Sequence, residues 1–231
     1  MGNGRAHFIT LPRRVHRIFA PMQQQEAEQK VADGHWLPLM EAFYTVQGEG
    51  FHTGKAAYFI RVGGCDVGCH WCDVKESWNA ALHPPTSIKA IVEGARAYSD
   101  TVVVTGGEPM MYPMKPLTDA LHAAGKKRHV ETSGAYPLSG DWEWICLSPK
   151  KTGPPQPAFY PAAQELKVVI YTKSDFRWAE EHAQKVGPDC RLFLQPEWSR
   201  REKMMPLISA YVMDNPKWQV GLQTHKYLGL P

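Results

Sequence analysis

Three cysteines are the residues of this chain whose type and spacing most clearly predict chemistry. Cys65, Cys69 and Cys72 lie in a short glycine-rich loop, directly after an apolar segment, 57–62, with the pattern of a strand. Iron in iron–sulfur clusters prefers soft thiolate ligands, and ordinary electron carriers use four of them. Three thiolates would hold a four-iron, four-sulfur cluster and leave one iron open. The loop therefore predicts a cluster that binds a further ligand.

Two other uses of these cysteines stay open from the residues alone. A structural zinc site of the Cys3His kind would take His70 as its fourth ligand, although zinc ligands usually come in pairs from two separated segments. A redox pair formed by Cys69 and Cys72 would leave Cys65 without a role.

The elements that must position the loop alternate between strands and helices. Short apolar runs predict strands that pair in parallel, at 57–62, 102–105, 129–131, 145–147, 166–171, 192–194 and 220–222. Apolar residues at helical spacing predict helices that begin after Ser87, near Leu117 and after Ser174, and that end, for the last two, at Gly125 and Gly187. Loops rich in Pro and Gly replace helices after 129–131 and 145–147. The predicted fold class is α/β, a partial and helix-poor βα barrel.

A further helix is predicted within 200–215, where Pro206 would kink or divide it.

Polar motifs follow the predicted strands. In addition to the cysteine loop they are Thr105-Gly106-Gly107-Glu108-Pro109, Glu131-Thr132-Ser133-Gly134, Ser148-Pro149-Lys150, Gln195-Pro196-Glu197 and Gln223-Thr224-His225-Lys226. Each motif by itself is typical of a turn. In a βα barrel, however, the carboxyl ends of the strands share one face, where barrel enzymes build their active sites. Six polar clusters at one end predict a single site.

Composition excludes several classes of function. With 231 residues, 43% hydrophobic content and a net charge of +3, the chain fits one globular domain and offers no strongly basic face for nucleic acid. No apolar stretch is long enough for a transmembrane helix. Five cysteines, three of them in one loop, do not form a disulfide framework, so a reducing cytoplasm is expected. Cys146 and Cys190 are expected to be small buried side chains.

The first 34 residues differ from the rest. Residues 1–21 carry four arginines and no acidic residue, and Met22 offers an internal start. We expect 1–34 to be a disordered or dispensable extension and 35–231 to be the folded domain. Loss of folding after removal of 1–34 would contradict this prediction.

The cysteine spacing resembles the cluster signature of the radical S-adenosylmethionine (SAM) enzymes, in which the open iron binds the amino and carboxylate groups of SAM. Upstream, Gln47-Gly48-Glu49-Gly50, together with Arg61 four residues before Cys65, resembles one branch of that superfamily, the 7-carboxy-7-deazaguanine synthases. The resemblance runs over essentially all of 35–231, through Thr-Gly-Gly-Glu-Pro, Glu-Thr-Ser-Gly, Ser-Pro-Lys, Leu-Gln-Pro and the terminal Gln-x-His-Lys.

This resemblance implies a reaction. It is the ring contraction of 6-carboxy-5,6,7,8-tetrahydropterin to 7-carboxy-7-deazaguanine with loss of ammonia, in the biosynthesis of 7-deazapurines of the queuosine type. The adenosyl radical would take hydrogen from C6 of the pterin and recover it after rearrangement, so that SAM acts as a true cofactor. The cofactor supplies the difficult chemistry, while the protein supplies position and electrostatics. Expected partners are an electron-donor protein such as a flavodoxin and a second copy of the chain, as a homodimer.

The resemblance also implies residue roles. Cys65, Cys69 and Cys72 would hold the cluster, and Arg61 suits a bidentate grip on the substrate carboxylate. Residues expected at SAM are Trp71, Cys72, Asp73, Gly107, Glu108, Glu131, Ser133, Ser148, Pro149, Lys150 and Gln195. Residues expected at the pterin are Val46, Gln47, Gly48, Glu49, Arg61, Thr105, His225 and Pro231, the last through its carboxylate.

One position departs from the family pattern. The residue after Cys-Asp is commonly a threonine that ligates Mg²⁺, and here it is Val74. An isopropyl group offers no oxygen to a hard cation. Mg²⁺ would then be held by substrate and water, with help from a side chain such as Asp73, or its role would be weakened.

Two competing functions predict different ligands. A radical SAM activase, which shares the cysteine spacing and the Gly-Gly-Glu-Pro run, acts on a partner protein and would bind no carboxypterin. A non-enzymatic iron–sulfur or zinc protein would not cleave SAM and would leave Arg61, Glu49 and His225 without a function.

Overall fold

One nine-stranded sheet organises the chain. The structure, a computed structural model, describes residues 21–231, so residues 1–20 of the predicted extension lie outside it. The strands are β1 (Trp36–Val46), β2 (Ala56–Val62), β3 (Pro85–Ser87), β4 (Thr101–Gly106), β5 (Lys127–Thr132), β6 (Trp144–Leu147), β7 (Glu165–Ile170), β8 (Arg191–Pro196) and β9 (Trp218–Val220). Their order across the sheet is β3-β1-β2-β4-β5-β6-β7-β8-β9.

Helices follow some of the strands and not others. They are α1 (Pro21–Ala32), α2 (Ile88–Ala95), α3 (Lys115–Ala123), α4 (Phe159–Ala162), α5 (Asp175–Ala183), α6 (Arg201–Asp214) and α7 (Thr224–Leu228). No helix follows β5 before β6 begins, and the link after β6 contains only the four-residue α4. The partial, helix-poor barrel predicted from the sequence is confirmed.

Strand direction divides the sheet into two parts. All neighbours from β2 to β9 pair in parallel, as the spacing predicts. β1 is antiparallel to both β2 and β3. Tyr44 to Val46, which lie outside the predicted strands, belong to β1 and pair with β2, Tyr44 opposite Tyr58 and Val46 opposite Ala56.

Some details of the elements differ from the prediction. The last strand is Trp218–Val220 rather than 220–222, and α5 ends at Ala183, before Gly187. Pro206 lies inside α6 without dividing it. The cap of α2 is as predicted, since the hydroxyl oxygen of Ser87 accepts a hydrogen bond from the amide of Ala90 at 3.3 Å.

The two faces of the sheet have different chemistry. On β7, Leu166, Val168 and Ile170 are fully buried in the main hydrophobic core under the helices. The alternate residues, Glu165, Lys167 and Val169, point to the other face because successive side chains of a strand alternate. That other face is the interior of the barrel, and it carries charge. None of the helices among residues 21–231 is long and apolar enough to cross a membrane.

Helix α1 overlaps the predicted extension. It precedes the turn into β1, where the amide of His35 donates to the carbonyl of Lys30 at 2.9 Å. The Lys30 ammonium lies 5.3 Å from the centre of the Trp36 ring. Whether the domain folds without residues 1–34 stays a prediction.

Candidate functional site

A cavity of about 460 Å³ opens at the carboxyl ends of the parallel strands. This volume lies within the range of small-molecule sites. The cavity is lined by residues that follow β2, β4, β5, β6, β8 and β9, together with the loop after β1 and the chain terminus. Segments that are far apart in the sequence therefore meet at one place, as the barrel prediction requires.

Almost every residue predicted for the site lines this cavity. It contains all three loop cysteines, Val74, and all the residues predicted for SAM or pterin with one exception. The exception is Pro149, which is buried but does not line the cavity.

The cysteine loop is fixed by backbone hydrogen bonds. The amide of Gly64 donates to the carbonyl of Ser77 at 2.6 Å, and the amide of Cys65 donates to that of Trp78 at 3.1 Å. All five cysteines are free thiols. Burial raises the pKa of Cys65 and Cys69, and their neighbouring thiols raise it further, so iron binding must displace protons there.

The three thiols of the loop suit a cluster, in which the thiolates need not share one ion. Among residues 21–231, no group of three or more His, Cys, Asp or Glu side chains is placed to hold a single metal ion. A cluster gives each thiolate a separate iron, so the three sulfurs need not converge on one atom. His70, the fourth ligand of the alternative zinc site, is exposed, packs edge-on against Tyr171 and does not line the cavity.

Glu108 organises the loop after β5. Its carboxylate is 1% exposed and accepts hydrogen bonds from the hydroxyl of Thr132 at 2.5 Å and from the amide and hydroxyl of Ser133 at 2.8 and 2.5 Å. It also accepts from the amide of Met110 at 3.0 Å. Four donors satisfy this carboxylate, so direct contact with an amino group of a ligand would require one of them to move.

Two buried polar groups on the same wall fit a polar ligand. Gln195 is 4% exposed, and its Oε1 has no hydrogen-bond partner among the described residues. An unpartnered buried acceptor is costly, and a donor from a bound molecule would satisfy it. Lys150 donates to the carbonyl and hydroxyl of Ser148 at 2.6 and 2.7 Å, and its ammonium lies 5.6 Å from the centre of the Trp71 ring.

The two glycines of the Gln-Gly-Glu-Gly segment allow close packing on the opposite wall of the cavity. A Cβ at Gly48 would lie 2.2 Å from Nδ1 of His225, so glycine lets that ring approach the backbone. Gly50 has a φ of +66°, and a Cβ there would lie 1.9 Å from a carboxylate oxygen of Glu165. Both glycines are therefore required by close packing against β7 and the C-terminal segment.

Arg61 reaches the cavity from β2. Its Nε donates to Oε1 of Glu41 at 2.7 Å, the residue opposite it on β1. The guanidinium lies 6.0 Å from the centre of the Phe43 ring. Since the contact with Glu41 uses Nε, the terminal nitrogens are the atoms that would meet a carboxylate.

The C-terminal segment closes the cavity. The amide and hydroxyl of Thr224 donate to the carbonyl of Gly48 at 2.8 and 3.0 Å, and the amide of Leu230 donates to the carbonyl of His225 at 2.9 Å. These bonds hold Pro231 at the cavity. Burial lowers the pKa of His225, although Glu49 opposes the shift, so this ring is predominantly neutral at pH 7.

Val74 and Asp73 are the side chains of the cysteine loop that bear on Mg²⁺ binding. Val74 presents an isopropyl group to the cavity, and Oδ2 of Asp73 accepts a hydrogen bond from the Lys226 ammonium at 2.5 Å. Mg²⁺ requires oxygen ligands in a near-octahedral arrangement. Val74 supplies no oxygen, and a bound Mg²⁺ would compete with Lys226 for the Asp73 carboxylate.

Sequence reasoning missed several residues of the cavity wall. Gln223, Lys226 and Glu197 belong to recognised polar clusters but had no assigned role. Lys167 was missed altogether, although a charged residue flanked by Leu166 and Val168 is a signal of a strand whose alternate face is polar.

Comparisons with known proteins agree with this geometry. The family model of the Radical SAM superfamily matches residues 59–147. A 7-carboxy-7-deazaguanine synthase from Flavobacterium psychrophilum is 61% identical over 210 residues, covering 91% of this chain and 100% of the relative. One from Synechocystis is 49% identical, covering 84% of this chain and 93% of the relative.

A solved structure has the same architecture. The crystal structure of QueE from Escherichia coli superimposes with a TM-score of 0.72 at 30% sequence identity, covering 84% of this chain and 97% of that one. The cysteine loop, the shared cavity and these similarities lead to one conclusion: the chain belongs to the 7-carboxy-7-deazaguanine synthases of the radical SAM superfamily.

Proposed function

We propose that this chain converts 6-carboxy-5,6,7,8-tetrahydropterin to 7-carboxy-7-deazaguanine and ammonia. The observation that carries the proposal is the composition of one cavity, in which three cysteines of the cluster loop face a wall of charged groups that suit a carboxypterin. A cluster protein that only transfers electrons has no need for that second wall.

The cavity residues divide the work between two ligands. Cys65, Cys69 and Cys72 hold the four-iron, four-sulfur cluster. When bound, the cluster and SAM supply the radical chemistry. The buried acceptor of Gln195 and the Ser148–Lys150 pair take polar groups of SAM. This assignment leaves the opposite wall for the substrate.

The substrate wall offers complementary charges. Arg61 binds the carboxylate at C6, because a guanidinium and a carboxylate match as a two-point pair. Glu49 accepts from the N–H groups of the pterin edge, and neutral His225 and the Pro231 carboxylate lie beside it. Contacts on three edges would fix the orientation of the ring in the cavity.

Partners and compartment follow from the same chemistry. We propose an electron-donor protein such as a flavodoxin, because an oxidised cluster would have to gain an electron before SAM could be cleaved reductively. We also propose a homodimer, a cytoplasmic location and a dispensable segment 1–34, as expected for the family and the composition.

The experiment that tests the proposal is anaerobic reconstitution with iron and sulfide, followed by reduction and incubation with SAM and 6-carboxytetrahydropterin. Mass spectrometry should detect 7-carboxy-7-deazaguanine. If only 5′-deoxyadenosine and methionine form, the radical class stands and the substrate is wrong. If neither forms while the cluster is intact, a carrier function is favoured.

A weakened role for Mg²⁺ is the second part of the proposal. Val74 supplies no oxygen, so the wild type should show little stimulation by Mg²⁺, and Val74→Thr should increase its apparent affinity for the ion. Removing a residue that is only hydrogen-bonded to a metal ligand typically lowers the affinity for the metal by about 10–100-fold. Gain of a direct ligand should therefore raise the affinity for Mg²⁺ by at least about tenfold. Turnover at a series of Mg²⁺ concentrations, with Mn²⁺ binding followed by electron paramagnetic resonance, measures the effect.

A matched control distinguishes metal ligation at position 74 from a general effect of adding a hydroxyl to the cavity wall. Val169→Thr adds the same hydroxyl elsewhere on the cavity wall and should leave the Mg²⁺ dependence as in the wild type. Equal Mg²⁺ curves for wild type and Val74→Thr would show that position 74 does not decide metal ligation.

A further inference from the structure

Lys167 is a buried cation inside the barrel. It lies in the middle of β7, is 4% exposed and faces the cavity. A buried ammonium is very unfavourable without partners. Its position therefore requires anionic groups from other elements.

Two carboxylates from different elements supply that charge. The Lys167 ammonium is hydrogen-bonded to Oε2 of Glu49, in the loop after β1, and lies 3.3 Å from Oε2 of Glu131, on β5. Only 6%, 15% and 22% of the side chains of Lys167, Glu49 and Glu131 are exposed, so solvent screens these pairs poorly.

Gln47 closes these contacts into a ring. Its Nε2 donates to Oε1 of Glu131 at 3.0 Å, and its Oε1 accepts from the amide of Glu49 at 3.1 Å. We refer to Gln47, Glu49, Glu131 and Lys167 as the carboxylate ring. Gln223 extends it to the C-terminal segment by donating to Oε1 of Glu49 at 2.8 Å.

The charges of the ring depend on one another. Burial alone would raise the pKa of Glu49, but the Lys167 ammonium and hydrogen bonds from Lys167 and Gln223 outweigh it and lower the pKa to about 2. Burial alone would lower the pKa of Lys167, but Glu131 and Glu49 outweigh it and raise the pKa well above the usual range. Glu49 is consequently an anion throughout the working range of pH.

Other titratable groups surround the ring. Glu165 on β7, Cys146 on β6, His129 on β5 and His52 after β1 share with Glu49 and Glu131 a small chamber of about 10 Å³, and His225 faces Glu49 from α7. Burial is the largest cause of the lowered pKa of each of these three histidines. These histidines are unchanged in Lys167→Gln and in Lys167→Arg. A difference between the pH profiles of these two variants therefore comes from the carboxylate ring and not from the histidines.

We propose that Lys167 is a positioning residue that holds Glu49 as an ionised acceptor for the pterin and at the same time orients Glu131 toward SAM. The inference rests on the proposed function, which places the pterin at Glu49, and on the family resemblance, which implies SAM at Glu131. One ammonium shared by both carboxylates fixes the relative position of the two ligands. Since orientation of the reacting atoms contributes strongly to rate, the ring acts on catalysis through placement.

The test is calorimetric titration of the reconstituted protein with SAM and with 6-carboxypterin as a stable substrate probe, between pH 5.5 and 8.5. Lys167→Gln removes the charge at similar size, and Lys167→Arg keeps it. In Lys167→Gln, Glu49 stays buried without its cation, so its pKa rises. Below that raised pKa the probe Kd should increase by about tenfold per pH unit. SAM should bind roughly tenfold more weakly because Glu131 loses its ion pair.

Lys167→Arg should restore both properties, with a probe Kd that follows the wild-type pH profile. Profiles for Lys167→Gln that run parallel to the wild type would overturn the proposal, as would an arginine variant no better than the glutamine variant. If Lys167→Gln fails to fold, the double variant Lys167→Gln/Glu131→Gln replaces it. This variant removes the second buried carboxylate and still leaves Glu49 without its cation. A probe Kd that does not change with pH in the double variant would also overturn the proposal.

The two proposals fail in different ways. If the wild type does not bind 6-carboxypterin, the proposed substrate is wrong, and the SAM titration still decides whether Lys167 acts through Glu131. If the wild type binds the probe and removal of the charge changes neither titration, only the role of Lys167 is wrong.

Discussion

Replacing Cys69 by serine should abolish the cluster and reduce turnover to background. The hydroxyl of serine is not ionised at neutral pH and is a poor ligand for iron compared with a thiolate. Two remaining thiolates would not hold the cluster on the loop. Iron and sulfide content after anaerobic reconstitution, the visible absorption of the cluster and the formation of 5′-deoxyadenosine measure the loss. Cys65→Ser and Cys72→Ser should behave in the same way.

Two matched controls make this prediction specific. Cys190→Ser removes a half-buried thiol that does not line the cavity and should retain iron and activity. His70→Gln removes the fourth ligand that a zinc site would need, and it should also retain both. Full iron content in Cys69→Ser, or loss of metal in His70→Gln, would contradict the assignment.

The second large effect is expected at Arg61. Arg61→Met keeps the length of the side chain and removes every donor, so the substrate carboxylate would be buried without its partner. Loss of one member of a buried charge pair costs about 2–5 kcal/mol. KM for the carboxypterin should therefore rise by about 30-fold or more, since about 1.4 kcal/mol corresponds to a factor of ten. Steady-state kinetics over a wide substrate range measure it.

Variants at and beside Arg61 distinguish the contact of the guanidinium with the substrate from the placement of the guanidinium by Glu41. Arg61→Lys keeps the charge without the two-point geometry, so its KM should lie between those of wild type and Arg61→Met. Glu41→Gln weakens the contact that orients Nε and should have a smaller effect than Arg61→Met. SAM cleavage in the absence of pterin should not change in any of them. An unchanged KM in Arg61→Met would remove Arg61 from the substrate site.

Local patterns predicted the parallel strands and the residues that follow them. Runs such as 102–105 and 192–194 are recognisable because both faces of a parallel strand are buried. The helix cap at Ser87 depends on residues within one turn of each other. The carboxyl ends of parallel strands share one edge, so the polar motifs could be assigned to a common site before their contacts were known.

Antiparallel pairing and buried charges could not be predicted in the same way. Tyr44 to Val46 extend β1 because β2 pairs with them, and that partner is not visible in the local sequence. Lys167 resembles an ordinary surface lysine until Glu49 and Glu131 are placed beside it. The ion pair of Asp73 with Lys226, 153 positions away, is equally invisible in the local sequence.

The sequence by itself determined which chemistry is available. Three cysteines at a fixed spacing, an arginine before them and a valine at position 74 are covalent facts that no folding can change. Only the tertiary structure decided how these groups act together. The bonds of the carboxylate ring and its extension join residues 84, 118 and 174 positions apart. Contacts of that range depend on closure of the whole sheet, and burial then decides which of the charges persist.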